Sequence, residues 1–272
     1  MGLTRSSTKE AANTDKCLAI KKQSENDKVI ALAGNPNVGK STVFNNLTGL
    51  RQHTGNWPGK TVVNAQGVCV FNHTNYIMVD IPGCYSLMAH SAEEEVARNF
   101  ICFGEPDAVI VVCDATCLER NMNLVLQTLE ITPNVIVCVN LMDDAERKKI
   151  KIDLDLLSRR LGVPVVGTSA SRNKGMDELM HTVEAALQKK PVPVKITYSS
   201  EIEDAITLIE PVAQTVSEGK INARWLSLRL LDRKESLLEG INLCLGKTIE
   251  DQCRGVISEA EDRLLKAGIN ET

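Results

Sequence analysis

Short apolar runs alternate with amphipathic stretches along the chain as far as Gln188. The runs are rich in valine and isoleucine and are bounded by polar residues or glycine, which is typical of buried strands. The stretches between them carry apolar residues at helical spacing, so the alternation predicts an α/β fold with a mostly parallel sheet. A short turn at Asn72–Asn75 predicts one hairpin. The six predicted strands are Val29–Ala33, Val62–Phe71, Tyr76–Ile81, Ala108–Asp114, Asn134–Asn140 and Val163–Thr168.

The pattern changes after Gln188. The segment Lys189–Pro193 predicts a linker, because its two prolines stiffen the backbone and block helix continuation. Only helical spacing follows, including one apolar stripe in the last helix. We therefore predict a flexible polar arm at 1–26, an α/β domain at 27–190 and a small all-α domain at 191–272. The predicted helices are Lys40–Thr48, Glu93–Phe103, Asn121–Ile131, Asp153–Leu161, Met176–Gln188, Glu201–Val216, Ala223–Leu231 and Thr248–Lys266.

Composition argues against several classes of function. A net charge of −4 and an aromatic content of 3% give neither a basic surface nor a stacking platform, so we expect no nucleic-acid partner. The nine cysteines form no Cys-x-x-Cys pair, which favours buried free thiols in a reducing compartment over a zinc site. No run of 18 apolar residues and no signal-peptide core is present, so the sequence predicts a soluble chain.

A phosphate-binding motif follows the first predicted strand. The segment Gly34–Ser41 matches GxxxxGK[ST] in full and opens a predicted helix, which is the context that the motif requires. Its glycines let backbone N–H groups surround phosphate oxygens, Lys40 can reach the β- and γ-phosphates, and the Ser41 hydroxyl can bind Mg²⁺. The predicted nucleotide contacts of this loop are Gly34, Asn35, Pro36, Asn37, Val38, Gly39, Lys40, Ser41 and Thr42.

A second motif ends the third predicted strand. An aspartate at the carboxyl end of a parallel strand faces the crevice where ligands bind, so Asp80 can hold Mg²⁺ through a water. The Gly83 N–H group, three residues later, can contact a γ-phosphate.

Two further motifs predict recognition of guanine. A carboxylate at Asp143 can accept hydrogen bonds from the N1–H and exocyclic amine of guanine, which adenine does not offer. The usual form of this motif is NKxD, and Leu141 replaces its lysine, so we expect weaker nucleotide affinity. A backbone N–H from Thr168–Ala170 can reach the guanine O6. The predicted base contacts are Asn140, Met142, Asp143, Thr168, Ser169 and Ala170.

Together these motifs resemble a Ras-type G domain over residues 28–190. The segments Gly34–Ser41, Gly55–Thr61, Asp80–Leu87 and Arg224–Leu231 resemble more closely the FeoB family of prokaryotic ferrous iron transporters. The resemblance implies GTP and GDP binding, GTP hydrolysis with Mg²⁺, and a helical domain that restrains nucleotide release. It also implies a place at the cytoplasmic face of the cell membrane. Implied partners are a C-terminal membrane domain of the same protein, and small cytosolic accessory proteins or a homo-oligomer.

The resemblance also implies individual roles in catalysis. Thr61 matches the switch threonine that coordinates Mg²⁺, and Asn37 matches an asparagine that holds K⁺ with the carbonyls of Gly55 and Trp57. The implied catalytic residues are Lys40, Thr61, Gly83 and Asn37.

The chain departs from Ras after Gly83. Cys84 stands where Ras has a water-positioning glutamine, and a thiol orients water poorly, so we expect slow turnover. Backbone groups of the switch regions, Tyr85 and Ser86 are the candidate substitutes.

Three functions fit these observations. The chain is a regulatory GTPase module of a transporter, a free soluble GTPase of ribosome assembly or tRNA modification, or a nucleotide switch with negligible hydrolysis. The net charge of −4, the acidic stretch Glu201–Glu210 and the Asn-Trp-Pro-Gly segment favour the first.

Overall fold

The structure is a computed structural model. It describes residues 20, 22, 24–49, 52–57, 62–88, 91–189, 191–232, 235–246 and 248–269. The chain divides between Val194 and Lys195 into an α/β unit and a helical unit.

A seven-stranded sheet forms the centre of the α/β unit, in the order β2-β3-β4-β1-β5-β6-β7. Strands β4, β1, β5, β6 and β7 are parallel, whereas β2 and β3 are antiparallel to their neighbours. The strands are β1 (Lys28–Gly34), β2 (Gln52–Asn56), β3 (Val63–Phe71), β4 (Thr74–Asp80), β5 (Ala108–Asp114), β6 (Val135–Asn140) and β7 (Val165–Gly167).

The predicted α/β fold is confirmed, and the sheet has one strand more than the six predicted. The additional strand, β2, has the sequence Gln-His-Thr-Gly-Asn and no apolar run. It lies at the edge of the sheet and is held by its pairing with β3, which backbone groups of any sequence can make. The predicted hairpin joins β3 to β4 through Asn72 and His73, whose φ angles of 45° and 62° are typical of a two-residue type I′ turn.

Ten helices are seen in the described part of the chain. Six belong to the α/β unit and four to the helical unit. They are α1 (Lys40–Thr48), α2 (Ala92–Phe103), α3 (Leu118–Ile131), α4 (Met142–Arg147), α5 (Leu154–Leu161), α6 (Met176–Gln188), α7 (Ser200–Ser217), α8 (Ala223–Asp232), α9 (Glu235–Leu245) and α10 (Glu250–Lys266).

Two of these helices, α4 and α9, were not predicted. Helix α4 is short and buries only Ala145, so it has no apolar stripe to detect. Helix α9 contains Gly240, a residue that disfavours helix interiors.

Strands β1, β5 and β6 are buried on both faces. Most of their side chains have no solvent exposure, among them Ile30, Leu32, Ile110, Val112 and Ile136. Helices α1 and α6 contribute to the core on one face, with Phe44 and Leu179 fully covered. Such near-continuous burial is typical of parallel strands between helix layers. It explains why these strands were predictable from apolar runs alone.

The boundary between the units lies four residues later than predicted. The Val194 N–H group donates to the Leu161 carbonyl over 2.8 Å, at the carboxyl end of α5. A Cβ atom on Gly162 would lie 2.3 Å from the Val192 carbonyl oxygen, so the linker passes directly over this glycine. The segment from Pro191 to Val194 therefore packs on the α/β unit.

The helical unit has a core of its own. Ile206, Ile209 and Leu226 are fully buried, and Trp225 is 5% exposed. The neighbouring Arg224 makes a bidentate ion pair with Glu203, with N–O distances of 2.6 and 2.9 Å. Among the described residues, no helix has the length and apolar character needed to cross a membrane.

Candidate nucleotide-binding site

The predicted phosphate loop lies between β1 and α1. Its glycines are required by close packing: a Cβ atom on Gly39 would lie 2.4 Å from Asn140 Nδ2, and one on Gly34 would lie 2.7 Å from the Val112 carbonyl oxygen. The φ angle of Gly39 is 82°, a left-handed conformation that glycine adopts readily. These constraints hold the loop in a tight turn at the amino end of a helix, where backbone dipoles favour an anion.

The loop encloses a cavity of about 360 Å³. Asn35 is 3% exposed, and neither polar atom of its side chain has a hydrogen-bond partner in the described part of the chain. Gly34 and Val38 are buried beside the cavity. The lining residues are Asn35, Pro36, Asn37, Gly39, Lys40, Ser41, Thr42 and Gly83. The structure thus brings Gly83, from the end of β4, to the phosphate loop as the sequence predicts.

Lys40 and Asp80 form an ion pair at this cavity. Both side chains are mostly buried, with exposed fractions of 11% and 17%. The Ser41 hydroxyl and the Asp80 carboxylate are hard oxygen donors, the type that Mg²⁺ prefers alongside water and phosphate oxygens. No cluster of three or more His, Cys, Asp or Glu side chains that could hold a metal ion occurs among the described residues. The third predicted ligand, Thr61, lies outside the described residues.

The segment after Gly83 rests on the phosphate loop. The Cys84 N–H group donates to the Gly34 carbonyl over 3.2 Å. Burial raises the pKa of the Cys84 thiol to about 12; Glu94 adds to the shift and Lys40 opposes it. The thiol is 2% exposed and stays protonated at neutral pH, so it cannot orient a water in the cavity.

Tyr85 and Ser86 do not line the phosphate cavity either. The ring of Tyr85 lies under the guanidinium of Arg120, at 4.4 Å from its centroid. The Ser86 hydroxyl lies 3.2 Å from the side-chain oxygen of Gln127. Both residues therefore contact helix α3. Sequence reasoning missed Gln127, because an isolated polar residue in an amphipathic helix carries no motif.

Asn140 joins three parts of the site. Its Nδ2 donates to the Val38 carbonyl over 3.0 Å, and its Oδ1 accepts from the Thr168 hydroxyl and the Ala170 N–H at 3.0 Å each. It is 1% exposed, and its amide is fully engaged with protein. The residue predicted to contact the base therefore aligns the two base-reading segments with the phosphate loop.

The backbone and the carboxylate of Asp143, the residue predicted to read the base, both contact the loop after β7. The Asp143 N–H donates to the Ser169 hydroxyl over 3.1 Å, and the Met142 N–H donates to the Thr168 carbonyl over 3.1 Å. Oδ2 of Asp143 pairs with Nε of Arg172 at 3.1 Å. Its Oδ1 is buried and has no hydrogen-bond partner in the described chain. Arg172 was missed in the sequence, where it is simply a basic residue two positions after Ala170.

Comparison with known proteins identifies the family. The family model "Ferrous iron transport protein B" matches residues 28–183, and the model "FeoB cytosolic helical domain" matches residues 198–268. The chain belongs to the FeoB family. Its two structural units correspond to the G domain and the helical domain of FeoB, and the predicted resemblance is confirmed.

FeoB relatives share sequence and fold with this chain. The Fe(2+) transporter FeoB of Salmonella typhimurium is 38% identical over 207 residues, which are 75% of this chain and 27% of the relative. The chain thus spans about a quarter of the length of the curated FeoB proteins that it matches. The cytosolic domain of T. maritima FeoB in GMPPNP form has a TM-score of 0.74 and 32% identity, covering 88% of this chain and 98% of the other. A mutant of S. thermophilus NFeoB bound to GDP has a TM-score of 0.74 and 33% identity, covering 90% of this chain and 94% of the other.

Of the three residues predicted to bind K⁺ in the FeoB chain, Asn37 is the one found among the described residues that line the cavity. Asn37 lines the phosphate cavity, whereas Gly55 is an exposed residue of β2. Trp57 is 2% exposed, and its ring meets that of Phe100 edge-on with centroids 5.1 Å apart. Neither Gly55 nor Trp57 is among the described residues that line the cavity. The potassium site stays a prediction.

Proposed function

We propose that the chain is the GTP-binding and GTP-hydrolysing module of a ferrous iron transporter. The observation that carries the proposal is the convergence of four strand ends at one edge of the sheet. There β1 leads into the phosphate loop, β4 ends at Asp80, β6 ends at Asn140 and β7 leads to Thr168. Ligands of open parallel sheets bind at this edge. The GDP and GMPPNP forms of FeoB domains with the same fold support the same assignment.

We assign the selection of guanine to Asp143. Its buried Oδ1 can accept the N1–H of guanine, and Oδ2 can accept the exocyclic amine once Arg172 gives up its contact. Adenine has no donor at N1, so it would leave a buried carboxylate oxygen without a partner. Such an unmet hydrogen bond costs about 1–3 kcal/mol, which favours GTP over ATP by about tenfold to a hundredfold.

Phosphate binding uses the loop and Lys40. Backbone N–H groups at the start of α1 face the cavity, and each hydrogen bond to a charged oxygen contributes about 1.5–3 kcal/mol. Ser41 and Asp80 would hold Mg²⁺, which supplies positive charge to the phosphates when bound. With Asp80 engaged in this way, the Lys40 ammonium is released from its ion pair and can contact the β- and γ-phosphates.

Hydrolysis requires a water in line with the γ-phosphate and positive charge around it. We assign the charge to Lys40, with K⁺ at Asn37 as a further predicted contributor. Gly83 lines the cavity, and we assign its N–H group to the γ-phosphate. Because the Cys84 thiol is buried and the side chains of Tyr85 and Ser86 contact helix α3, we assign water orientation to backbone groups of the switch regions, and we expect slow turnover.

The remaining roles concern the full-length protein. We propose that the chain is followed by a membrane domain, lies at the cytoplasmic face of the membrane, and couples its GTP cycle to iron passage. Small accessory proteins or a second copy are candidate partners. The helical domain is assigned a restraint on nucleotide release, as the family resemblance implies.

Phosphate release by the purified chain tests the proposed activity. We expect turnover with GTP and Mg²⁺, at least about tenfold slower turnover with ATP, and none after chelation of Mg²⁺. The Lys40→Ala variant should bind GTP poorly and release no phosphate, and circular dichroism should show that it is folded. GTP binding without any turnover by the wild-type chain would reduce the proposal to a nucleotide switch. Equal turnover of ATP and GTP would refute guanine selection.

A further inference from the structure

Three polar side chains on one face of α3 hold the segment that follows Gly83. The strongest contacts are made by Gln127, whose Oε1 accepts the Leu87 N–H over 2.6 Å. The same oxygen and the Nε2 group each lie 3.2 Å from the Ser86 hydroxyl. Asn123 donates to the Tyr85 carbonyl over 3.2 Å. We call residues 85–87 the clasped segment.

Helix α3 is a firm support for these contacts. Arg120, Asn123 and Gln127 are three and four positions apart, so they form one stripe along the helix. The adjoining face of α3 is buried, with Leu124 and Val125 fully covered. The Leu87 N–H of the clasped segment is therefore tied to a helix that is itself fixed in the core.

The clasped segment starts two residues after Gly83, which lines the phosphate cavity. Cys84 is buried, and its N–H is used by the Gly34 carbonyl. The chain is thus anchored to the phosphate loop at Cys84 and to α3 at Leu87. The path of the backbone next to the γ-phosphate position is set by these two anchors together.

We propose that Gln127 is a positioning residue for GTP hydrolysis. It lies on helix α3 and acts through the backbone of the clasped segment, without touching the nucleotide. By fixing Leu87 and Ser86 it holds the N–H and C=O groups near Gly83 in the orientation that the attacking water requires. The inference rests on the proposed function, because it assigns a role within GTP hydrolysis.

The chemistry of the side chain explains why glutamine suits this position. The Leu87 N–H needs an acceptor, and the Ser86 hydroxyl can both accept and donate. A glutamine offers an acceptor and a donor from one planar group. A glutamate at 127 keeps the acceptor for Leu87 and can accept the Ser86 hydroxyl proton. A leucine keeps the volume but makes neither bond.

The test compares Gln127→Leu, Gln127→Glu and Gln127→Asn with the wild-type chain. Leu126→Ala is the matched control, since Leu126 is the adjacent residue of α3 and is 37% exposed. For each protein we would measure kcat and KM for GTP, the Kd for GDP and the melting temperature. A misplacement of reacting groups by about 1 Å can cost about a hundredfold in rate.

We expect Gln127→Leu to lower kcat by about 10–100-fold while the Kd for GDP changes less than about twofold. Gln127→Glu should recover most of the rate, and Leu126→Ala should match the wild type. Gln127→Asn, which retains the amide but is one methylene too short, should resemble the leucine variant. If Gln127→Leu does not fold, the kcat of Gln127→Asn tests the positioning role in its place.

Three outcomes would overturn the positioning role. The first is an unchanged or raised kcat in both Gln127→Leu and Gln127→Asn. The second is a Gln127→Glu variant as slow as Gln127→Leu, and the third is a loss of GDP affinity in Gln127→Leu that parallels its loss of rate. If the wild-type chain itself releases no phosphate from GTP, the proposed function fails and the positioning role fails with it. Activity in the wild type separates the two cases.

Discussion

Asn140 Nδ2 donates a hydrogen bond over 3.0 Å to the carbonyl oxygen of Val38, so the motif after β6 holds the phosphate loop directly. The same amide nitrogen would lie only 2.4 Å from a Cβ atom on Gly39, which explains the glycine at that position. One buried side chain therefore connects recognition of the base with the shape of the phosphate loop.

Replacement of Asn140 by alanine should weaken the whole site. The Val38 carbonyl and the Ala170 N–H would lose their bond to Asn140, and the Thr168 hydroxyl would keep only its contact with the Cys138 thiol, 3.3 Å away. Each unmet buried group costs about 1–3 kcal/mol, so we expect a lower melting temperature and weaker binding of GTP and GDP alike. Differential scanning fluorimetry and calorimetric titration would measure both. A variant with wild-type stability and selectively reduced GTP affinity would contradict this structural role.

The Asp143→Asn variant should instead change which base is bound. An amide cannot accept both donors of guanine, and the loss of about 1–3 kcal/mol corresponds to about a 10–100-fold weaker affinity for GTP. Xanthine has a carbonyl where guanine has its amine, so the new amide N–H should favour XTP. Competition between GTP and XTP for a fluorescent nucleotide measures the switch, and stability should stay close to that of the wild type. Unchanged preference for GTP would refute the role of Asp143.

GTP turnover should be faster in K⁺ than in Na⁺, and Asn37→Ala should abolish the difference. Asn37 is exposed at the phosphate cavity, so its loss should leave the fold intact, although its φ angle of 66° means that alanine strains the loop locally. A missing electrostatic contact to the transition state costs about 10²–10³ in rate. Phosphate release is measured in matched salts at constant ionic strength for both proteins. Equal rates of the wild type in the two salts would end this proposal.

The helical unit should lose stability in acid through Glu203. Hydrogen bonds from the Arg224 guanidinium, and then from the Tyr198 N–H, lower the pKa of this carboxyl to about 2 from its ordinary 4.5. Because the pKa is lowered on folding, this stabilisation is complete above about pH 4.5. It is lost as the pH falls from about 4.5 towards about 2.

Thermal melts at about pH 7, 4.5 and 3 test this assignment. Solvent screens the pair, whose side chains are 20% and 24% exposed, so Arg224→Ala should lower the melting temperature at neutral pH by only about 2–6 °C. The variant should also lose part of the acid sensitivity. Arg254→Ala is the control, because Arg254 pairs with Asp251 at a well-solvated position and should have no measurable effect. Identical pH dependence of Arg224→Ala and wild type would refute the assignment.

The parts of the fold that sequence predicts are those whose signal is local. Central strands such as Val135–Asn140 are apolar almost throughout because helices cover both faces, and the phosphate motif has fixed spacing around Gly39 and Lys40. Strand β2 escapes prediction because an edge strand is held by backbone pairing, and its residues are polar.

The same reasoning explains which site residues were missed. Gln127 is 40 residues away from Leu87 in sequence, and only the packing of α3 beside the clasped segment brings them together. Arg172 reaches Asp143 through the loop after β7. Neither residue belongs to a motif with fixed spacing, so tertiary structure alone reveals its role.

The pairing of β2 with β3 affects how a cation would bind at the predicted K⁺ site. Gly55 lies opposite Asn64 in this edge strand, and the Trp57 N–H bonds to the Val62 carbonyl over 2.8 Å. Because this pairing holds the backbone of Gly55 and Trp57 in the sheet, an ion shared with Asn37 would link the edge of the sheet to the phosphate loop. A nucleotide and a cation coupled in this way would each strengthen the binding of the other by an equal factor. The edge of the sheet would then couple the binding of K⁺ to the binding of the nucleotide.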